Sequence, residues 1–385
     1  MRKGWEYKKL GEVCTLISDG SHNPPKGIDH SLYRMISSQN VFDDNLQITE
    51  DNVRYITESD HLCENKRTKL QKDVVLLTIV GTIGRSCVLK GNEGCLTLQR
   101  SVAALHPSDQ IMPRYLMHCL IGNRHTLNQE AHGIAQKGIY LKQLSSLSIP
   151  LPPKSTQLAI VSELDKVNEL IRLKKEQLKD FDNLAQSLFY EMFGDPVENE
   201  KGWEVKKLGD VCTFSQGMQV PIENQKEIQN EGDVRFLRII DFTQGKDAPR
   251  YVECDNDKYI LHEKEIAIVR YGTPGFICTG KIGAIANNLF KLNPVSDNIF
   301  VFEYLVHWLS TDAFQLSIKG KQYGAALQAI KFSTIQNIEI ILPPLPLQRL
   351  FAQRIEQIER EKSEVQKSIQ DLETLLASRM QYWFE

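Results

Sequence analysis

The chain of 385 residues has no apolar run approaching the roughly 18 residues that would cross a bilayer, and no apolar core of a secretory signal. Its eight cysteines form no Cys-x-x-Cys pair and no zinc-type spacing. These lacks predict a cytoplasmic protein without a membrane, with reduced thiols and no disulfide framework. Cys87 and Cys95 read as small buried residues. A phosphate-binding Gly-x-x-x-x-Gly-Lys-Ser/Thr loop and a His-Glu-x-x-His pair are both missing, and the nine histidines recur at no fixed spacing. No metal site is therefore expected, and His118 reads as a packed helix residue. A formal charge of −3 neither points to nucleic acid nor away from it.

Two strings imitate catalytic motifs and fail on their surroundings. Asn23-Pro24-Pro25 opens like the motif of an amino-methyltransferase, but Lys26 stands where an aromatic must stack on the flipped base. No glycine-rich nucleotide turn follows a strand. Glu64-Asn65-Lys66 resembles the end of a nuclease metal motif without its strand. No catalytic residue is assigned.

What the chain does have is repetition. Gly4 to Thr15 reads GWEYKKLGEVCT and Gly202 to Thr213 reads GWEVKKLGDVCT, identical at ten of twelve positions. Later landmarks recur 191 residues apart: Gly81-Thr82-Ile83-Gly84 with Gly272-Thr273-Pro274-Gly275, Gly133 and Ile139 with Gly324 and Ile330. Leu151-Pro152-Pro153 matches Leu342-Pro343-Pro344, and Gln157 matches Gln348. The change of spacing from 198 to 191 puts a net difference of seven residues between Thr15 and Gly81. Within each copy short β-rich runs alternate with Gly, Pro and Asn. They are Asp73 to Ile79, Arg85 to Leu89 and Leu96 to Leu105, then Phe236 to Ile240, Glu265 to Tyr271 and Ile282 to Leu292. A helix is expected from Pro113 and another over Tyr304 to Leu309. The Gly-x-x-Gly turns read as tight strand connections.

Each copy ends in a long amphipathic stretch. Ile160, Leu164, Val167, Ile171, Leu178, Phe181, Ala185, Leu188 and Met192 alternate in steps of four and three, broken by Lys174. Phe351, Ile355, Ile358, Val365, Ile369, Leu372, Leu376 and Trp383 repeat the frame, broken by Lys362 and Arg379. A seam every 3.5 residues needs a partner seam. Connectivity makes the pair antiparallel, each helix about 57 Å long at about 1.5 Å per residue. Each interrupting lysine is expected to lay its stem on the seam and hold its ammonium in water.

The expected fold is α+β with pseudo-twofold symmetry: two tandem α/β domains separated by two long helices in an antiparallel coiled coil. The boundaries are 1–153 for the first domain, 154–193 for the central helix, 194–201 for a linker, 202–344 for the second domain and 345–385 for the last helix. Positive charge gathers in the second half of each copy. Arg85 to Lys142 holds seven Lys/Arg against Glu93, Asp109 and Glu130, and Ile266 to Lys331 holds six against Asp297, Glu303 and Asp312. A basic face on each repeat is the footprint of a phosphate-backbone binder.

In this order, and twice over, the motifs resemble the specificity subunit of type I restriction–modification systems. They are the Gly-Trp-Glu-x-x-x-Leu-Gly starts, the Gly-Thr-x-Gly turns, the Leu-Pro-Pro-x-x-x-Gln segments and the Phe193-Gly194-Asp195-Pro196 helix end. The resemblance covers the whole chain. It implies two target-recognition domains, each reading half of a bipartite double-stranded DNA site, and helices that set the gap and dock two methyltransferase subunits. Restriction (translocase–nuclease) subunits join through the complex. S-adenosylmethionine, Mg and ATP belong to those partners, and no cofactor to this chain. Arg and Lys pair with guanine, and Asn and Gln with adenine. On that ground the DNA-contacting candidates are Ser21, His22, Lys26, Arg85, Gln136 and Lys137, then Gln216, Gln219, Arg270, Tyr271, Asn287, Lys319 and Lys321. Two other readings stand beside this one: the equivalent subunit of a type II system with a fused methyltransferase–nuclease partner, and a scaffold that binds no DNA.

Overall fold

The computed structural model describes residues 4–132, 137–244, 248–296, 298–319 and 329–384. The chain forms two compact units, Met1–Lys175 with Lys367–Glu385, and Glu176–Gln366. No helix among the described residues is long and apolar enough to cross a membrane.

In the first unit Glu6–Lys9 pairs antiparallel with Ser148–Leu151, Glu6 facing Leu151. A four-stranded antiparallel sheet has the order Cys14–Asp19, Val102–Pro107, Val75–Thr78, Ser86–Val88. Beside it Tyr33–Ile36 runs parallel to Cys95–Leu98 and antiparallel to Arg54–Tyr55. The second unit repeats the plan. Glu204–Lys207 pairs with Glu339–Leu342, and the larger sheet runs Cys212–Gln216, Leu289–Pro294, Ile266–Val269, Ile277–Cys278. Asp233–Leu237 again lies parallel to a strand, Gly283–Ile285.

The runs Val75–Thr78 and Ile266–Val269 are buried at every position because each strand is covered on both faces. Val75 and Leu77 enter one core with Leu105, Tyr115 and Leu120, while Leu76 enters another with Cys87, Leu98 and Ala104. Ile266 and Ile268 likewise face away from Ala267 and Val269. Burial pushes the thiols of Cys87 and Cys278 up to about 12, which keeps them protonated. Cys95 is half-buried rather than buried.

The two longest β-rich runs do not form single strands. Leu96 to Leu105 breaks into Cys95–Leu98 and Val102–Pro107, which belong to different sheets. A corner separates them, closed by the Val102 N–H donating to the Gln99 carbonyl at 3.0 Å. Ile282 to Leu292 breaks in the same way, the Leu289 N–H donating to the Ala286 carbonyl at 2.9 Å. Phe236 to Ile240 ends its strand at Leu237, and a short helix opens at Ile239.

Gln157 and Gln348 explain why Leu-Pro-Pro-x-x-x-Gln recurs. Gln157 accepts from the Met112 N–H and donates to the carbonyls of Gln110 and Pro152. Gln348 accepts from the Val301 N–H and donates to Ile299 and Pro343. Each buried amide ties the start of a long helix to the loop before a domain helix, Pro113–Gly122 or Phe302–Ser310. Tyr115 and Tyr304 repeat the tie with hydroxyls donated to Pro150 and Ile341.

The long helices span Lys154–Phe193 and Leu345–Phe384. Within the first unit their segments run antiparallel, with Glu163 bonded to Arg379 and Trp383, and Lys175 to Glu373. Within the second unit they do so again, with Asp182 on Lys362 and Phe189 against Phe351. Every candidate seam residue is buried or half-buried. Lys174 is half-buried. The Lys362 ammonium is not left to water: it meets Asp182 at 2.8 Å and Glu359 at 3.0 Å. The buried stripe also widens beyond the seam. Val161 joins the first domain core, and Phe189 and Phe193 pack on Tyr304. These helix ends cover their own domains as well as each other.

Candidate nucleic-acid interface

In each unit one loop and one corner meet. Gly20-Ser21 follows the first strand of the large sheet, and the Ser21 N–H donates to Leu98 at 2.8 Å while Arg100 N–H donates to Ser21 at 2.9 Å. In the second unit the Met218 N–H donates to Ile285 at 2.9 Å. Parallel bridges join Ser21 to Gln99 and Met218 to Ala286. The backbone approach is too close for any side chain. A Cβ on Gly20 would lie 2.1 Å from the Leu98 carbonyl oxygen, and one on Gly217 2.3 Å from those of Ile285 and Ala286.

The sheet register aligns the two loops. Ala103 faces Asp19, and Phe290 faces Gln216. Asp19 therefore corresponds to Gln216, Ser21 to Met218 and His22 to Gln219. The frame differs from the twelve-residue match by one because the first strand carries a β-bulge, with Cys14 opposite Pro107 and Leu16 opposite His106.

Asp19 is buried and holds two side-chain partners. His22 Nε2 lies 2.7 Å from one carboxylate oxygen, and Arg67 reaches the other. The Ser21 hydroxyl donates to Glu64 at 3.1 Å. Asp19, His22, Arg67, Arg100, His132 and Tyr140 line a cleft of about 530 Å³. In the second unit Gln216 Nε2 donates to the Asn287 carbonyl at 3.0 Å, and the Tyr271 hydroxyl donates to Asn287 Oδ1 at 3.1 Å. Arg270 lies alongside, its Nε donating to Ile330 and its guanidinium 5.9 Å from the Phe332 ring centre.

The structure thus brings together Ser21 and His22 in one unit, and Gln216, Arg270, Tyr271 and Asn287 in the other, with Gln219 exposed beyond Met218. Lys137 is exposed, and its carbonyl accepts from the Gly81 N–H of the Gly-x-x-Gly turn. Both glycines of that turn have positive φ, 82° and 90°, the conformation a tight strand connection requires. Lys26 is exposed farther along the same connection between Cys14–Asp19 and Tyr33–Ile36, and Arg85 lies over the Phe42 ring. Lys319 ends the helix Asp312–Lys319. Gln136 and Lys321 lie outside the described residues.

Sequence reasoning missed Asp19, Arg67 and Arg100, and met Glu64 only as part of an imitation nuclease motif. Asp19 was legible only as an acid outside the basic half, and Arg67 sits on a helix, Glu58–Thr68, that the second copy does not match by sequence. The basic face is also thinner than composition implies. Arg114 forks onto Asp44 and reaches Asp165, Arg124 pairs with Asp43, and buried Lys291 pairs with Glu265. Acids of each first half neutralise bases of the second.

A family model described as type I restriction modification DNA specificity domain matches residues 2–180 and again 200–374. The type I restriction enzyme MjaIX specificity subunit of Methanocaldococcus jannaschii is 26% identical, over 73% of this chain and 69% of that protein. A solved chain from work on complex assembly and conformational transition of the type I R-M system aligns over 100% of this chain and 98% of its own, at 19% identity and a TM-score of 0.61. The S subunit of a type I restriction–modification system from M. genitalium aligns over 99% and 96%, at 15% identity and a TM-score of 0.54. With the model matched once on each repeat and across most of the chain, the protein belongs to the family of type I restriction–modification specificity subunits.

Proposed function

We propose that this chain reads a bipartite duplex DNA target, each unit recognising one half through the corner at Gly20-Ser21 or Gly217-Met218. One observation carries the reading: two copies of one backbone frame present different side chains at matched positions, Asp19 for Gln216 and His22 for Gln219. A shared frame with variable polar residues suits base-edge readout, in which each base pair offers its own donors and acceptors in the major groove. Exposed Lys26 and Lys137 supply phosphate contacts that position without specifying. Methyltransferase subunits dock on the long helices, and restriction subunits join the complex through them. Catalysis, with its S-adenosylmethionine, Mg and ATP, resides in those partners. The purified chain alone is expected to leave DNA unmodified, and adding the methyltransferase partner with S-adenosylmethionine is expected to produce methylation at one two-part motif. Methylation by the chain free of partner, or methylation by the complex without a motif, would overturn the assignment.

A further inference from the structure

The corners hold a matched pair that the amino-acid spacing conceals. Gln99 bridges to Ser21 and Ala286 to Met218, so the residues that follow correspond: Arg100 with Asn287, and Ser101 with Asn288. The remaining hydrogen bonds agree, because the Ile79 N–H donates to Ser101 and the Arg270 N–H to Asn288. Neither residue is needed to hold its corner through its side chain. Arg100 is exposed, and its guanidinium makes no hydrogen bond or ion pair among the described residues. Asp19, which lines the same cleft, is already engaged by Arg67 and His22. Asn287 is half-exposed, with its amide nitrogen free among the described residues and its Oδ1 oriented by the Tyr271 hydroxyl.

We propose that this position is a base-reading residue in both halves, Arg100 selecting a guanine in one half-site and Asn287 an adenine in the other. The proposal rests on the DNA-reading function above and names its specificity determinant. The chemistry differs in kind between the two. A guanidinium offers paired donors that match O6 and N7 of guanine, both acceptors. A carboxamide offers one donor and one acceptor, which match N7 and the N6 amino group of adenine. Tyr271 donates to Oδ1, leaving its second lone pair for the adenine amino group. Asn287 is thereby fixed by Tyr271, whereas Arg100 is aimed by the backbone clamp between Ser21 and Leu98.

The test uses the full chain assembled with its methyltransferase partner and reads the methylated motif by single-molecule sequencing. Arg100→Ala is expected to lower guanine preference roughly 10- to 100-fold at one position of one half-site, leaving the other half intact. Arg100→Lys, which keeps a donor for the same edge, is expected to retain a weaker guanine preference. Asn287→Ala is expected to relax one adenine position in the opposite half-site only. An unchanged motif in both alanine variants would overturn the proposal while leaving DNA recognition standing. So would a uniform loss of methylation at every sequence from Arg100→Ala, since that marks a phosphate contact. An Arg100→Ala complex that fails to assemble would assign the side chain a structural role and overturn it too. A wild-type complex that methylates without any motif would instead sink the DNA-reading function itself.

Discussion

Gly20 and Gly217 show how little room a recognition corner leaves. The atoms a Cβ would strike are backbone oxygens of Leu98, Ile285 and Ala286, which no rotamer change can clear. Gly20→Ala must therefore push the Ser21 loop off the Cys95–Leu98 strand. The expected cost is about 1–3 kcal/mol in denaturant unfolding, the usual range for overpacking a tight site. Half-site discrimination should fall with it, and a variant of native stability with an unchanged motif would contradict the close approach. These glycines match in role, yet the twelve-residue repeat places them one residue out of frame. The extra residue is absorbed in the bulge opposite His106 and Pro107. Farther on, the spacing between copies shrinks to 187, from Leu98 to Ile285, and returns to 191 by Leu151 and Leu342. Loops of unequal length on either side of the corner hide Arg100 from Asn287. Gln157 and Gln348 stay visible because the same buried bonds fix their distance from the prolines.

At the scale of elements, the long helices were legible because a 3.5-residue period survives any loop change and needs no alignment. Their second role, covering their own domains at Val161, Phe189 and Phe193, was not, since a widened stripe has the same periodicity as a seam. Leu164 tests the buried face: Leu164→Ala should cost about 2–5 kcal/mol, whereas Leu170→Ala, on an exposed position, should stay within about 0.5 kcal/mol. Equal effects in thermal melts would deny the asymmetry. The same helix is fastened to its domain by Asp165, which accepts from Arg114 and from His118 at 2.8 Å. Burial alone would push its carboxyl up, but the hydrogen bonds from His118 and Arg114 outweigh it and hold the carboxyl below its ordinary value. A depressed carboxylate contributes its stability above the unfolded value, about 4, and loses it as pH falls through the folded one. Asp165→Asn should therefore cost about 1.5–3 kcal/mol at neutral pH, with the deficit shrinking between pH 5 and pH 3. Hydrogen exchange of the helix Pro113–Gly122 measures it. A deficit that grows on acidification would reverse the sign.

The whole molecule is one plan executed twice, and its consequence is modular reading. Each unit holds its own sheets, its own corner and its own Gln-amide tie to a long helix. Replacing Met1 to Leu151 with the matching segment of a relative should change one half of the methylated motif and preserve the other. The replaced segment carries one structural obligation within its unit. Trp5 stacks on Trp383 with ring centres 6.2 Å apart, and Tyr115 packs on Phe384 at 5.8 Å, so the donor must keep aromatics at both places to seat the second long helix. Pro150 must keep its carbonyl free for the Tyr115 hydroxyl, as Ile341 does for Tyr304. A donor that meets these conditions transfers the loop after Cys14–Asp19 and the Gln99–Ser101 corner together, which is what independent reading requires. The measurement is single-molecule methylome sequencing of cells carrying the hybrid with its methyltransferase partner. Alteration of both half-sites would mean that the units read as one surface. Retention of the original motif would mean that the bases are read outside Met1 to Leu151, in which case neither the Ser21 loop nor Arg100 selects sequence.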